Sequence, residues 1–253
     1  MTAAYWAASD SLALIARSIR HSVRSIDALL TAVLLPVMLL LLFVYVFGGA
    51  IEAGGRYLDY VVPGISLLCA GFGAATTAVS VNGDKTAGVM DRFRSLPIAS
   101  AAPLTGHVVA SILRNLVSTV LVLAVALLIG FDPTAGVLDW LGVLGLLVAF
   151  MAAVSWLAAA WGLVAGGPES ANAFSFFVLF LPYVSSAFVP PETMPGGLQA
   201  IAEHQPVTPI IETLRSLMLG TPGGDALVAV AWCVGFGVVG LTASALLFRR
   251  RTA

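Results

Sequence analysis

Charged residues are scarce in this chain, and their scarcity excludes most soluble folds. Of 253 residues only 10% are Asp, Glu, Lys or Arg, whereas 59% are hydrophobic, and the mean hydropathy is +1.00. Soluble domains contain about 25% charged and about 45–50% apolar residues. The net charge of -1 also provides no basic surface for nucleic acid. We therefore interpret the chain as an integral membrane protein and expect no nucleic-acid partner.

Catalytic and metal-binding motifs are lacking as well. The three histidines fall on different predicted segments, and the two cysteines, Cys69 and Cys233, lie in apolar stretches where a small buried side chain is the usual role. Gly83-Asp84-Lys85-Thr86 differs from a phosphate-binding loop because an Asp separates the glycine from the lysine. We expect no catalytic residue, no metal and no cofactor in this chain.

Six long apolar stretches are each long enough to cross a bilayer. A helix rises about 1.5 Å per residue, so about 20 apolar residues span about 30 Å of hydrocarbon. The predicted spans are residues 28–50, 60–81, 107–130, 137–166, 171–189 and 226–248. The sequence thus predicts an all-α integral membrane protein with six transmembrane helices.

The positions of Lys and Arg predict the orientation of these spans, because loops rich in positive charge stay in the cytoplasm. With a cytoplasmic N-terminus, ten of the twelve Lys and Arg residues lie inside and only Arg56 and Arg215 lie outside. An even number of spans then places both termini in the cytoplasm. We expect a multi-pass protein of the cell (plasma) membrane. Arg114, within the third span, either extends to the cytoplasmic surface or contacts a substrate.

An amphipathic segment precedes the first span. Residues 10–27 carry apolar side chains on one helical face and Arg17, Arg20 and Arg24 on the other. This pattern predicts an interfacial helix that lies flat on the membrane, with its arginines toward anionic lipid. The alternative is the start of a signal peptide, but the apolar run that follows is too long for one.

Residues 190–225, between the fifth and sixth spans, are too polar to cross the membrane and too apolar for an ordinary loop. Pro195 is placed to begin a short helix, and a second helix carries an apolar stripe formed by Ile210, Ile211, Leu214, Leu217 and Met218. We predict an extracellular re-entrant hairpin of two short helices that dips into the outer leaflet and packs on the spans. A plain extracellular loop is the alternative.

The cytoplasmic segment 82–106 is the only charge-dense loop between predicted spans. It combines charges of both signs with an apolar stripe that ends at a proline. Its expected docking residues are Asp84, Lys85, Met90, Asp91, Arg92, Phe93, Arg94 and Pro97. Either a short amphipathic helix here inserts into a groove on a cytosolic partner, or the segment is simply a solvated loop.

This loop resembles the one in permease subunits of type-2 ABC exporters, in the daunorubicin-resistance (DrrB-like) branch. The sequence motif that is typical of this loop in the family is matched by Asp84, Lys85, Gly88, Met90, Asp91, Arg92, Phe93, Arg94 and Pro97. A second match follows the fifth span, at Phe188, Val189, Pro190, Met194, Pro195, Leu198, Ala202, Gln205, Pro206, Thr208, Pro209, Arg215, Leu219 and Gly220. The resemblance covers nearly the whole chain, residues 1–253, as a single transmembrane permease domain.

The resemblance implies a half-pore that works as a dimer, more often of two identical copies than of two different chains. Each copy would dock a separate cytoplasmic ABC ATPase subunit through segment 82–106, and that subunit would bind the ATP and Mg. The cargo would be an amphipathic drug, an antibiotic or a lipid. The hairpin would supply an outer gate, with Met194, Pro195, Pro206, Pro209 and Arg215.

The translocation path is expected along aromatic side chains of the first, second and fifth spans. The candidate residues are Phe43, Phe47, Phe72, Phe176, Phe180, Tyr183 and Phe188. Aromatic residues of spans also commonly face lipid or a neighbouring helix. A secondary transporter or channel without ATP is the alternative function, but the span centres contain no charged residue for ion coupling. A membrane-embedded enzyme would need a polar catalytic cluster, which the sequence does not offer.

Overall fold

A computed structural model describes residues 26–51, 54–90 and 102–250, and the regular structure within them is helical. The predicted interfacial helix lies outside this part of the chain except for its last two residues, which belong to the first helix. Arg17, Arg20 and Arg24 therefore lie outside the described residues. The same is true of the docking residues at positions 91–97.

The helices of the described ranges come in the following order along the chain. They are α1 (Ile26–Leu42), continued by a π-helical turn (Phe43–Phe47), α2 (Tyr57–Thr86), α3 (Ala102–Leu128), α4 (Val137–Val164), α5 (Pro168–Asn172), α6 (Phe174–Tyr183), a 3-10 turn (Pro191–Thr193), α7 (Gly196–His204), α8 (Val207–Leu219) and α9 (Ala226–Arg250). The prediction of an all-α fold is confirmed for the described residues.

Four of the predicted spans correspond to helices that are long and apolar enough to cross a membrane, namely α2, α3, α4 and α9. Their ends define two ends of the bundle. We call the end with Thr86, Ala102 and Val164 the loop end, and the opposite end, near the α7–α8 hairpin, the hairpin end. A further apolar helical stretch runs from Val33 through the π-helical turn to Phe47.

The predicted fifth span, 171–189, is wrong as one continuous helix. Helix α5 ends at Asn172, α6 runs only from Phe174 to Tyr183, and the chain turns through the next residues. Pro182 removes a backbone N–H near the end of α6, and the Ser185 hydroxyl donates to the Pro182 carbonyl at 2.6 Å. Because this stretch is predominantly apolar, the sequence pattern did not indicate that the helix would be interrupted.

Helix α2 is the centre of the bundle. Of its most apolar window, 78% is buried inside the structure, against 17% for α9. Small residues allow this packing, because a Cβ added to Gly64 would lie 2.8 Å from the Ala187 Cβ, and one added to Gly162 of α4 would lie 2.5 Å from the Ala78 carbonyl oxygen. Neighbouring backbones can therefore approach α2 closely.

The two predicted short helices between the fifth and sixth spans are present as α7 and α8. Pro195 directly precedes α7, and Gly220, with a positive φ of 66°, ends α8. The predicted apolar stripe of α8 is buried at Ile210, Ile211 and Leu214. Helix α8 thus packs on the bundle, and its depth in the membrane stays a prediction.

The predicted coupling loop, 82–106, overlaps described helices at both of its ends. Helix α2 continues to Thr86, Gly88 follows in a left-handed turn with φ of 70°, and α3 begins at Ala102. The first charges after the apolar stretch suggested an early helix end. Instead, Asn82 and Lys85 bond to the neighbouring helix α4, which keeps the last turn of α2 helical.

Candidate functional site

At the loop end, side chains of α2 bind the C-terminal carbonyls of α4. The Asn82 amide donates to the Ala165 and Gly162 oxygens at 2.8 and 3.2 Å, and Lys85 Nζ donates to the Ala165 oxygen at 2.7 Å. The last carbonyls of a helix lack intrahelical partners and carry partial negative charge. The Asn82 amide and the Lys85 ammonium group therefore connect the ends of α2 and α4 next to the loop.

Asp84 links the same end of α2 to α3. Its Oδ2 lies 3.0 Å from Nε2 of His107, and both side chains are largely buried. The sequence analysis assigned Asp84 and Lys85 to docking, and the structure shows that both also contact neighbouring helices. Their role toward a partner stays a prediction. His107 and Asn82 were not recognised as part of this site, because their partners are distant in sequence.

Met90 departs from the expected arrangement. It was assigned to the apolar stripe that a partner would bind, but it is only 2% exposed and packs in a buried cluster with Val81, Leu104, Leu163 and Phe248. Its side chain is covered by this chain's own helices. Asp91, Arg92, Phe93, Arg94 and Pro97 lie outside the described residues. The segment that contains them therefore begins directly after a residue anchored in the bundle.

Arg114 connects α3 to the interior of α2. Its Nη2 donates to the Gly73 carbonyl at 3.2 Å and to the Thr76 hydroxyl. Ser111 also donates to the Gly73 carbonyl, at 3.3 Å, and accepts a hydrogen bond from Ser155 of α4 at 3.0 Å. The polar side chains of these three helices thus bond to one another inside the bundle.

Four of the seven predicted path residues form one aromatic cluster. The ring centroids of Phe43 and Phe188 are 4.3 Å apart, those of Tyr183 and Phe188 are 5.1 Å apart, and those of Phe43 and Phe47 are 5.5 Å apart. Phe188 itself is buried. The cluster joins the end of α1 to the turn after α6.

The remaining three path candidates lie apart from this cluster. Phe176 and Phe180 are 74% and 66% exposed on α6, while Phe72 is partly buried against the core. Their spacing of four residues places Phe176 and Phe180 on one face of α6. The predicted path residues therefore belong to two separate surfaces and to the packed core of α2.

At the hairpin end, Arg215 ties α8 to the start of α2 and to the turn after α6. Its Nη2 donates to the Ser186 and Tyr60 carbonyls at 2.7 and 3.2 Å, and its Cζ lies 3.9 Å above the centre of the Tyr60 ring. Burial lowers the pKa of Arg215 below its usual value, and the nearby Tyr60 and Glu212 oppose this shift. An arginine stays protonated under such conditions.

The other predicted gate residues shape the hairpin. Met194 follows the 3-10 turn, Pro195 and Pro206 directly precede α7 and α8, and Pro209 lies in the first turn of α8. A proline has a fixed φ and no N–H donor, so it fits the start of a helix. The three prolines therefore favour helix starts at these positions.

A cavity of about 390 Å³ lies next to Arg215. Its lining includes Tyr60, Ser186, Glu192, Glu212 and Arg215. Burial raises the pKa of Glu212, the nearby Arg215 opposes that shift, and Glu192 adds to it. Of this lining, Arg215 was the only residue predicted for the outer gate, although the spacing of Glu212 and Arg215 on one helix was a usable signal.

Metal-binding side chains do not gather in the part of the chain that the structure describes. Within it, no group of three or more His, Cys, Asp and Glu residues is placed to hold a metal ion. The polar groups at the two ends of the bundle instead form hydrogen bonds between helices. Their arrangement suits contacts between helices.

Comparison with known proteins gives the family. The family model described as "ABC-2 type transporter" matches residues 10–219. The chain is 37% identical over 229 residues to the daunorubicin resistance ABC transporter permease protein DrrB1 of Streptomyces coeruleorubidus, covering 89% of this chain and 81% of the relative. It is 27% identical over 228 residues to a probable doxorubicin resistance ABC transporter permease protein, DrrC, of Mycobacterium tuberculosis, covering 87% of this chain and 80% of the relative.

These matches confirm the resemblance found in the sequence. They cover most of the chain, including α2, α3, α4 and the α7–α8 hairpin. The membrane-capable helices agree with a multi-pass protein of the plasma membrane. The chain therefore belongs to the ABC-2 type transporter family.

Proposed function

We propose that this chain is the membrane-spanning subunit of an ATP-driven exporter that moves amphipathic drugs or antibiotics out of the cell. The observation that carries the proposal is the 37% identity, over 89% of the chain, to a daunorubicin resistance permease. Lipids are a second cargo class, because they share the amphipathic chemistry. ATP and Mg bind to a separate cytoplasmic ATPase subunit, and this chain supplies neither a cofactor site nor catalysis.

The loop end is suited to transmit movement from that ATPase. Segment 91–97, with Arg92 and Phe93, directly follows Met90, which is held among buried side chains. Asn82, Lys85 and Asp84 connect the last turn of α2 to α3 and α4. A force on the segment therefore acts on three helices together, because they are joined by hydrogen bonds at this end.

The export cycle requires a second copy of the chain and an outer closure. We infer a homodimer with both termini in the cytoplasm, six spans in each copy, and the α7–α8 hairpin as the outer gate. The aromatic cluster around Phe188 and the exposed rings of Phe176 and Phe180 provide apolar surfaces for cargo. Exposed apolar side chains such as these suit contact with lipid, cargo or a second copy.

Copurification tests the coupling. The tagged chain is purified from native membranes in mild detergent, and we expect an ATPase with nucleotide-binding motifs in equal amount. The double variant Arg92→Ala, Phe93→Ala should lose the ATPase while remaining inserted and folded. Arg56→Ala is the matched control, because Arg56 is an exposed cation at the hairpin end whose contacts, with Asp59 and the Gly130 carbonyl, lie at the end opposite to the loop.

Reconstitution separates the two functional classes. The chain with its ATPase in liposomes should transport drug only with ATP, and the double variant should not. If the purified chain alone transports drug down a proton gradient, it is a secondary transporter and the proposal fails. Wild-type ATPase binding and stimulation in the double variant would refute the docking assignment.

A further inference from the structure

The cavity at the hairpin end has the size of a binding pocket. Its volume of about 390 Å³ lies in the range of about 300–1,000 Å³ that is common for small-molecule sites. Its walls come from α2, the turn after α6, the 3-10 turn and α8. Since these segments are distant in sequence, the cavity exists only in the folded chain.

The cavity carries two carboxylates whose charge is not neutralised by direct contact. Glu192 and Glu212 line it together with Arg215. The Arg215 donors are directed at the Tyr60 and Ser186 carbonyls, and its guanidinium plane lies on the Tyr60 ring. Among the described residues, neither carboxylate forms an ion pair within 4.0 Å, so the lining has a net negative charge.

Two hydroxyl groups at the cavity also lack partners. Ser186 is 1% exposed, and its Oγ has no hydrogen-bond partner within 3.5 Å in the described part of the chain; the same holds for Oη of Tyr60. The Ser186 hydroxyl lies close enough to Glu212 to lower that carboxyl's pKa, against the larger effect of burial, which raises it. A buried polar group without a close partner destabilises the folded chain, so these groups are suited to receive a ligand.

We propose that this cavity binds the protonated amine of an amphipathic molecule, with Glu212 and Glu192 as its ionic partners and Ser186 Oγ as an additional acceptor. The inference rests on the proposed export function and specifies the cargo class as amines. A primary ammonium group has three N–H donors, which match two carboxylates and one hydroxyl. Pro190 and Pro191 provide an apolar wall for the rest of the molecule.

An amine fits this site better than a metal ion. Calcium takes about six to eight oxygen ligands, usually from several carboxylates. Only two carboxylates line the cavity, and the guanidinium of Arg215 next to them would repel a doubly charged ion about twice as strongly as a singly charged ammonium group. The cavity is also much larger than one ion requires, whereas an amine on an apolar body fills it.

Direct binding in the absence of nucleotide tests the proposal. The full chain is placed in lipid nanodiscs, and the probe is dansylcadaverine, which carries a primary ammonium group. Its N-acetyl derivative has the same fluorophore and chain but no charge. We expect wild type to bind the amine at least about tenfold more tightly than the acetylated probe, after subtraction of binding to empty nanodiscs.

Variants assign the binding to the cavity. Glu212→Gln should remove most of the preference for the amine, and Ser186→Ala should reduce it by about threefold. Glu192→Gln should weaken amine binding too, and this exposed residue gives a test that does not depend on tolerance of a change at the partly buried Glu212. Asp132→Asn, an exposed acid outside the cavity lining, is the matched control and should leave binding unchanged.

Three outcomes would overturn the proposal. They are equal affinity of wild type for both probes, an unchanged preference in both glutamate variants, and displacement of the amine by millimolar calcium at constant ionic strength, which would indicate a metal site. The assay contains no ATPase, so an absent ATPase partner would refute the proposed function but leave this binding test readable. If the amine does not bind, the ATPase can still copurify, so failure of this proposal leaves the proposed function standing.

Discussion

Close packing of α2 against α4 predicts opposite effects for the same substitution at two glycines of one helix. Gly162→Ala places a methyl group 2.5 Å from the Ala78 carbonyl oxygen and 3.0 Å from the Val81 Cβ. Gly145→Ala, also on α4, places a methyl group where nothing lies within 4 Å. The two variants therefore change helix propensity equally and packing differently.

The magnitude follows from these distances. Replacing a helical glycine by alanine favours the helix by about 0.5–1 kcal/mol, and this gain is shared by both variants. At Gly162 the backbone oxygen cannot move without shifting α2, and such overpacking costs about 1–3 kcal/mol. We expect Gly145→Ala to be neutral or stabilising and Gly162→Ala to have a free energy of unfolding about 1–3 kcal/mol lower than Gly145→Ala.

Unfolding in mixed micelles measures this difference. The purified variants are titrated with increasing SDS fraction, and tryptophan fluorescence follows the transition. Wild type and Gly145→Ala are the references. Equal stability of Gly162→Ala and Gly145→Ala would refute the reasoning, because it would mean that α2 and α4 do not approach each other so closely near Gly162.

Three further predictions concern the two ends of the bundle. Asn82→Ala should lower the free energy of unfolding by about 1–2 kcal/mol in the same titration, since its amide donates to two carbonyls at the end of α4; no change would contradict that role. Arg215→Lys should also lower it, by about 1–2 kcal/mol, because lysine cannot stack on Tyr60 while donating to both carbonyls; wild-type stability would exclude the tether. Because burial raises the pKa of Glu212, the folded chain binds that proton more readily than the unfolded chain, so stability should fall as pH rises from the usual glutamate pKa through the raised value. Glu212→Gln should lack this fall, and identical pH profiles of the two proteins would contradict it.

The loop-end site was predicted in part, because its residues are adjacent in sequence and carry charge. The charges of Asp84 and Lys85 marked the segment, yet the same charges suggested that the helix had already ended. Their partners, His107 and the Ala165 carbonyl, lie on other helices. A side chain's contact with a distant backbone carbonyl leaves no pattern in the local sequence.

The cavity at the hairpin end was not predicted as a site, although Arg215 in its lining was assigned to the outer gate. Its other lining residues come from segments that are far apart, since Arg215 and its acceptor Tyr60 are separated by 155 positions. Ser186 lies in a stretch whose apolar composition indicated a continuous span. In the folded chain, the turn after α6 brings the Ser186 backbone carbonyl within hydrogen-bond distance of Arg215.

By itself, the sequence determined the class of the protein, because apolar length and the distribution of Lys and Arg act through the membrane rather than through contacts within the chain. It also determined the two short hairpin helices through their prolines and apolar stripe. Only the tertiary structure decided which long helix is central. Helix α9 is more apolar than α2, yet α9 is mostly exposed and α2 mostly buried. Lipid tails are as apolar as leucine, so hydrophobicity does not sort helices within a membrane. Close packing of small residues and hydrogen bonds between helices do so instead.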